Sequence, residues 1–258
     1  MTGKPFVMAG DWHGDTVWAT HIIRQAAKAG AERIFHVGDL AVLWPGRDKY
    51  KFDRRIEQRL VENGIDLVFV DGNHDNHTEL RALPVQEDGL ARVRPHILYL
   101  PRGARTDYEG LTVGGLGGAF SVDYEWRRPG RDWWPGIEQV QPDDVAKLVA
   151  HGRVNILLTH DVPAAVPMTM GLKLSAEIEA QARVSRLLLQ EAVDALKPAH
   201  VFSGHWHQRK TSTIAHQDGS ATRVDVLDMN ISWGNAVLVW TGQPALKIEP
   251  LVPEPEES

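Results

Sequence analysis

The residues whose types and spacing could do chemistry fall in five short polar clusters. They are Asp11-Trp12-His13, Gly38-Asp39, Gly72-Asn73-His74-Asp75, Thr159-His160-Asp161 and Gly204-His205-Trp206-His207. Together they offer carboxylates, imidazoles and one amide in the number and mixture that two adjacent divalent cations need. In Asp11-Trp12-His13 one residue separates carboxylate from imidazole, so at the end of an extended strand both point the same way and grip one cation. His205 and His207 repeat that skip. Gly72-Asn73-His74-Asp75 puts a neutral oxygen ligand, a proton-carrying ring and a carboxylate in consecutive positions. Taken singly, each cluster has an ordinary reading: a turn Asp with a surface His, a helix N-cap Asp, an Asn-rich turn. Five together, in this order, point to a metal centre. Of the 12 histidines, His13, His74, His160, His205 and His207 belong to it, and His36 and the other six are read as core or surface residues.

Each cluster must be held by an element that ends there. Phe6 to Ala9, Arg33 to Val37, Asp66 to Val70, Val154 to Leu158 and Val201 to Ser203 read as buried strands, each delivering a cluster at its C-terminal end. Helical stretches are expected at about 16–29, closed by Gly30, then at 48–62, at 142–151 with Pro142 in the first turn, and at 175–196. Short strands are expected at 97–100, 105–108, 111–115, 211–214, 223–227 and 236–240. Strand, loop and helix in alternation is α/β logic, with ligands gathered outside the carboxyl ends of the strands.

The chain has 258 residues, 43% of them apolar and 24% charged, as a folded soluble domain requires. We expect one domain over 1–248 with a loop insertion around 120–136, and a flexible tail over 249–258, rich in Pro and Glu. The absence of cysteine removes thiol nucleophiles and thiolate zinc sites. Manganese, iron, zinc, cobalt or nickel suit the ligands that remain, with manganese the expected activator. No stretch approaches the ~20 apolar residues of a membrane helix, so cytoplasmic residence without a membrane partner is expected. The net charge of −6 is the wrong sign for holding long nucleic acid chiefly through its phosphates.

Asp-x-His, Gly-Asp, Gly-Asn-His-Asp, a strand-terminal His and Gly-His-x-His, in this order over residues 11–207, resemble the signature blocks of the calcineurin-like metallophosphoesterases. That resemblance implies an α/β, four-layer sandwich of two mixed β-sheets flanked by helices, with two divalent metal ions at the strand ends. It implies that Asp11, His13 and His207 hold one ion, that Asn73, His160 and His205 hold the other, and that Asp39 bridges them. His74 would then act on the scissile phosphate, with Asp75 as its orienting partner. Two features depart from the protein Ser/Thr phosphatases: Asp75 stands where those have Glu, and Leu40-Ala41-Val42 follows Asp39 in place of Asp-Arg-Gly. Both favour a small phosphoesterase of bacterial or phage type.

The chemistry expected of such a centre is hydrolysis of a phosphodiester or phosphomonoester by a metal-bridging hydroxide. Two cations about 3.5–4 Å apart lower the pKa of a shared water and clamp the phosphoryl oxygens. His74 would assist the leaving group, so no protein nucleophile is needed. Partners would be a small phosphate ester or a nucleotide. A nuclease on the same site is an alternative, and a non-catalytic metal-binding scaffold is another, although a scaffold that had lost catalysis would be expected to lack His74 or several ligands. Oligomeric state is not encoded in any motif.

Two further segments bear on substrate. Gly114 to Gly118 fits neither nucleotide-binding glycine motif and reads as a tight strand-to-loop passage near the site. Phe120 to Pro135 mixes arginines and tryptophans, from which Arg127, Arg128 and Trp126 are candidate substrate contacts able to hold an anion and stack a ring. The competing reading is a solvated cap with packed tryptophans. Trp12 and Trp206 are expected to wall the ligands.

Overall fold

Successive residues of the first strand enter opposite cores. Phe6 and Met8 face one apolar layer, Val7 and Ala9 another, and all four are buried. Strand β1 (Pro5–Ala9) is therefore covered on both faces, as its unbroken apolar run demands. The same alternation recurs at Ile34 and Phe35, at Leu67 and Val68, and at Leu157 and Leu158. The computed structural model describes residues 3–169, 171, 173–241 and 246–252.

Two mixed sheets result. In the first, β1, β2 (Arg33–His36), β3 (Asp66–Phe69) and β5 (Ile97–Tyr99) run parallel. The antiparallel strands β4 (Ala91–Arg94), β12 (Ala236–Trp240) and β13 (Lys247–Pro250) complete the order β13-β12-β1-β2-β3-β5-β4. In the second, β7 (Leu111–Leu116), β8 (Ile156–Thr159), β9 (His200–Ser203) and β11 (Ala221–Val226) are parallel. With β6 (Arg105–Tyr108) and β10 (Lys210–Ala215) the order is β10-β11-β9-β8-β7-β6.

Phe6, Phe35, Val68 and Leu98 of the first sheet meet Val113, Ile156, Leu158 and Phe202 of the second in a central core. Helices α1 (Thr16–Lys28) and α2 (Lys51–Asn63) cover the outer face of the first sheet through Ile22, Ile23, Ile56 and Leu60. Helices α4 (Pro142–Ala150) and α5 (Ala176–Leu196) cover the second through Leu148, Leu189 and Val193. The four-layer sandwich of two mixed sheets flanked by helices is thus present.

Helix ends follow local chemistry. Asp15 caps α1 by accepting from Val17 and Trp18, and Gly30 follows its end in the left-handed region. The helix expected from residue 48 starts at Lys51, because Tyr50 has φ +69° and cannot continue a helix. Helix α3 (His77–Arg81), only five residues long, and the polar strand β4 had no periodic signal. The expected tail over 249–258 is corrected at its start. Glu249 and Pro250 pair with Leu238 and Val237 in β13, and Leu251 and Val252 pack against the first-sheet core. Residues 253–258 lie outside the described residues.

Candidate metal centre

All five clusters meet at one edge, where the parallel strands of both sheets end. The backbone there is strained: Asp11, His13, Asp39, His205 and His207 have φ of 46°, 48°, 55°, 66° and 50°. Left-handed backbone costs a non-glycine residue about 1–3 kcal/mol, and such residues gather where function holds them. Glycine permits the close approach. A Cβ on Gly72 would lie 2.1 Å from Asp39 Oδ1, and one on Gly204 would lie 2.1 Å from Asp11 Oδ2.

Buried Asp39 stands at the middle. Its Oδ2 is 3.5 Å from His13 Nε2 and its Oδ1 is 3.4 Å from His160 Nε2, so each oxygen faces a different group of ligands. On one side, ligand atoms of Asp11, His13 and His207 lie within 4.8 Å of one another; on the other, those of Asp11, Asp39 and His160 do. Asn73 Oδ1 is 3.1 Å from His160 Nε2, and the His205 ring lies 5.1 Å from that of His160. All seven expected ligands are therefore brought together. The structure places Asp11 against both groups, a sharing that the clusters alone did not suggest.

The imidazoles are oriented from behind. His160 Nδ1 donates to the Val37 carbonyl at 2.7 Å, leaving Nε2 to face Asp39 and Asn73. His13 Nδ1 lies 3.3 Å from Asn230 Oδ1, leaving its Nε2 toward Asp39. Asn73 Nδ2 donates to Ser121 Oγ at 3.1 Å, and Ser121 donates in turn to buried Glu138. Supports of this kind fix ligand rotamers around a metal. Asn230, Ser121 and Glu138 carry no local sequence signal, since they arrive from loops far along the chain.

Electrostatics of the cluster follow from burial. Burial pushes the Asp11 carboxyl up to about 7, and the Asp39 charge adds to this against the pull of His160. Burial opposes charge on His160 and His13, yet Asp39 foremost and Asp11 hold them up to about 10 and about 9. Asp39, despite burial, is held well below the ordinary carboxylate range by His160, His74 and His13. The buried carboxylates and the imidazoles thus favour opposite charges on each other. Divalent cations would neutralise the carboxylates while taking those nitrogens as ligands, and the donor set fits them.

Asp75 does not orient His74. Its buried carboxylate accepts from the backbone N–H groups of Gly72 at 2.7 Å, Ala41 at 2.7 Å, Asp39 at 3.0 Å and Leu40 at 3.4 Å. It ties the Asp39 loop to the Asn73 loop. The partner of the His74 ring is Arg127, whose guanidinium contacts Nδ1 and lies 2.7 Å from Nε2. Arg127 is itself held by Asp123 through two 2.6 Å hydrogen bonds. Burial first, and Arg127 after it, lower the His74 pKa against the pull of Asp39. Arg127, and not a carboxylate, is therefore the group that faces the His74 ring.

The other two residues expected to face substrate do not reach the site. Trp126 is 88% exposed, and Arg128 lies on the surface, where its N–H donates to Asp132. The insertion turns once through Tyr124–Trp126, sending Arg127 inward and its neighbours outward. Trp134 is packed down, edge-on to Trp44 and His77. Gly117 allows the expected tight passage, since a Cβ there would lie 2.3 Å from the Asp71 carbonyl. Trp12 is buried against His36, and Trp206 donates to Asp161 at 2.9 Å beneath the guanidinium of Arg186.

The family model for the calcineurin-like phosphoesterases matches residues 4–209, and the chain belongs to that family. Among curated proteins it is 25% identical over 173 residues to a lariat debranching enzyme of Drosophila melanogaster, covering 58% of this chain and 30% of that enzyme. The chain spans about a third of the length of the curated relatives it matches first. Among solved structures, one from Thermus thermophilus superposes with TM-score 0.61 at 17% identity, covering 97% of this chain and 100% of the other. A dimetal phosphatase from Danio rerio superposes with TM-score 0.57 at 10% identity, covering 96% of each. At such identities the two structures speak for the fold alone.

Proposed function

We propose that this chain is a dinuclear-metal-dependent phosphoesterase acting on a phosphodiester or phosphomonoester. The observation that carries the reading is the position of Asp39, its two carboxylate oxygens turned to His13 and to His160. Asp11, His13 and His207 would hold one divalent ion, and Asn73, His160 and His205 the other, with Asp39 between them. Bound there, the pair would supply an activated water and neutralise charge on the phosphoryl oxygens.

The chain's own side chains do the rest. Arg127, fixed by Asp123, presents a cation where phosphoryl oxygens gather and holds them in line. His74, whose Nε2 is 3.9 Å from Asp39 Oδ2, would serve the leaving oxygen as a protonated ring once phosphoryl oxygens replace it as acceptors of the Arg127 N–H groups. Water oxygen bonds to phosphorus as the bond to the leaving oxygen breaks; the water gives its proton to solvent, and the leaving oxygen takes one from protonated His74. A lowered His74 pKa makes the protonated ring a stronger acid for that transfer.

The matched relatives are named for lariat debranching, which gives a second reading for this site. A panel tests both: a phosphomonoester, a phosphodiester, cyclic nucleotides, single-stranded DNA and a branched oligonucleotide, each with added manganese. We expect hydrolysis of at least one, abolished by a chelator and restored by the metal. Inertness toward the whole panel would refute the phosphoesterase reading, and turnover that a chelator does not touch would refute its metal dependence.

A further inference from the structure

We propose that the substrate is a single-stranded oligonucleotide-like phosphodiester that occupies clefts on both sides of the scissile phosphate. This rests on the phosphoesterase reading above and adds a substrate class to it. His74 and Arg127 form a partition between two clefts and line both. The first, of about 600 Å³, runs from His13 past Trp44 and Phe52 to Lys51 and Arg55. The second, of about 380 Å³, runs from Asn73 and His205 past Asp161 to Trp206 and Gln208. Each is large enough for a nucleotide-sized group.

A third cleft of about 350 Å³ continues beyond Trp206 and Ala182, which it shares with the second, toward Arg183 and Arg186. The series crosses the metal edge, with Lys51 and Arg55 at one end and Arg183 beside Glu179 at the other, where Arg186 is held by the Val162, Pro163 and Val166 carbonyls. Such a shape has little use for a phosphomonoester, which has a substituent on one side of its phosphorus only. A diester has a group for each side.

The chemistry of the first cleft narrows the class. Lys51 and Arg55 stand one turn apart on the same face of α2, both exposed. Lys51 is only loosely matched, 3.7 Å from an Asp48 whose side chain is 78% exposed. Among the described residues no carboxylate forms an ion pair with Arg55. Asp48 and Asp132 also line the cleft, and Asp132 is engaged with the Arg128 N–H. The scissile phosphate already has Arg127 and the metal ligands, so the Lys51 and Arg55 pair is available to a neighbouring phosphate. Trp44, braced edge-on by Trp134 at 6.1 Å, and Phe52 provide aromatic surface for an unpaired base between the two phosphates. Flexible single strands, with bases free to stack, suit this better than a duplex.

The test compares kcat/KM for a single-stranded hexanucleotide and for bis(p-nitrophenyl) phosphate, both with manganese, in wild type and in the Lys51→Ala/Arg55→Ala double variant. Both positions are exposed, so the variant should fold. We expect its loss on the hexanucleotide to exceed its loss on the small diester at least tenfold, chiefly through KM. The slope of log(kcat/KM) against log salt should become shallower by about 0.7, as loss of one neutralised phosphate of a single strand requires. Arg54→Ala, which removes a charge from the same helix away from the cleft, should retain wild-type values on both. Equal losses on the two substrates, or none on the hexanucleotide, would overturn the proposal. If wild type cleaves the small diester but not the hexanucleotide, the oligonucleotide proposal fails and the phosphoesterase reading stands. If it cleaves neither, both fail.

Discussion

His74 and Asp75 are adjacent in the chain and point into different chemistry. Adjacency suggested a catalytic ring with its orienting carboxylate, but reversal of the chain after Gly72 turns Asp75 under the Asp39 loop, where four backbone N–H groups converge on it. Removing that acceptor strands several buried donors at about 1–3 kcal/mol each. We therefore expect Asp75→Ala to lower stability by about 3–5 kcal/mol in urea unfolding of the metal-free protein, and His74→Ala to change it by less than about 1 kcal/mol. A small effect at Asp75 would return it to a purely catalytic role. The convergence of the seven expected ligands was legible because types and order together are a strong signal. Arg127 was legible only as one member of an arginine-rich loop, for nothing in the sequence says which of its arginines turns inward. Asn230, Ser121 and Glu138 were not legible, because each acts from a distant loop through one hydrogen bond.

At the scale of elements, the strand ends carry the site and the insertion closes over it. The two are joined by a buried pair: Arg102 Nη2 lies 2.6 Å from Asp71 Oδ2, two residues past β3, and donates at 2.8 Å to the carbonyl of Glu138, just after the insertion. His77 Nδ1 lies 3.0 Å from the same carboxylate oxygen. Burial alone would raise the Asp71 carboxyl, but Arg102 and His77 hold it below the ordinary range. Its folded pKa is below its unfolded value near 4, so the stabilisation is complete above about pH 5 and is lost as pH falls through the folded value. Asp71→Asn should cost about 3–5 kcal/mol at pH 7, with the gap to wild type narrowing below about pH 4 in unfolding measured across that range. A gap independent of pH would contradict this account. Strands buried on both faces and helices with clear caps were legible from apolar runs and capping residues. Helix α3, β4 and β13 were not, being short and polar or dependent on a partner strand distant in the chain.

The whole molecule sets a local chemistry against its overall charge. A net charge of −6 argued for a small ester, yet Lys51, Arg55, Arg127 and Arg183 lie along one edge with the metal ligands, interspersed with Asp48, Asp123, Asp132, Asp161 and Glu179. Net charge describes the average surface; a cleft presents only what lines it. Among the described residues no helix is long and apolar enough to cross a membrane. The two sheets matter at this scale because the centre needs both: Asp11, Asp39 and Asn73 come from the first, His160, His205 and His207 from the second. Neither sheet alone assembles it, so metal binding and the packing of one sheet on the other should depend on each other.

The central claim is a dinuclear centre that Asp39 holds together and His74 uses without holding. It is tested most directly by elemental analysis of bound divalent metal in wild type, Asp39→Ala and His74→Ala, beside the turnover of each on whichever phosphate ester the panel finds cleaved. We predict two ions per chain in wild type and in His74→Ala, with turnover lower by about 100-fold to 10,000-fold in the latter, and loss of both ions and activity in Asp39→Ala. Full activity in His74→Ala, or two ions retained by Asp39→Ala, would contradict the account.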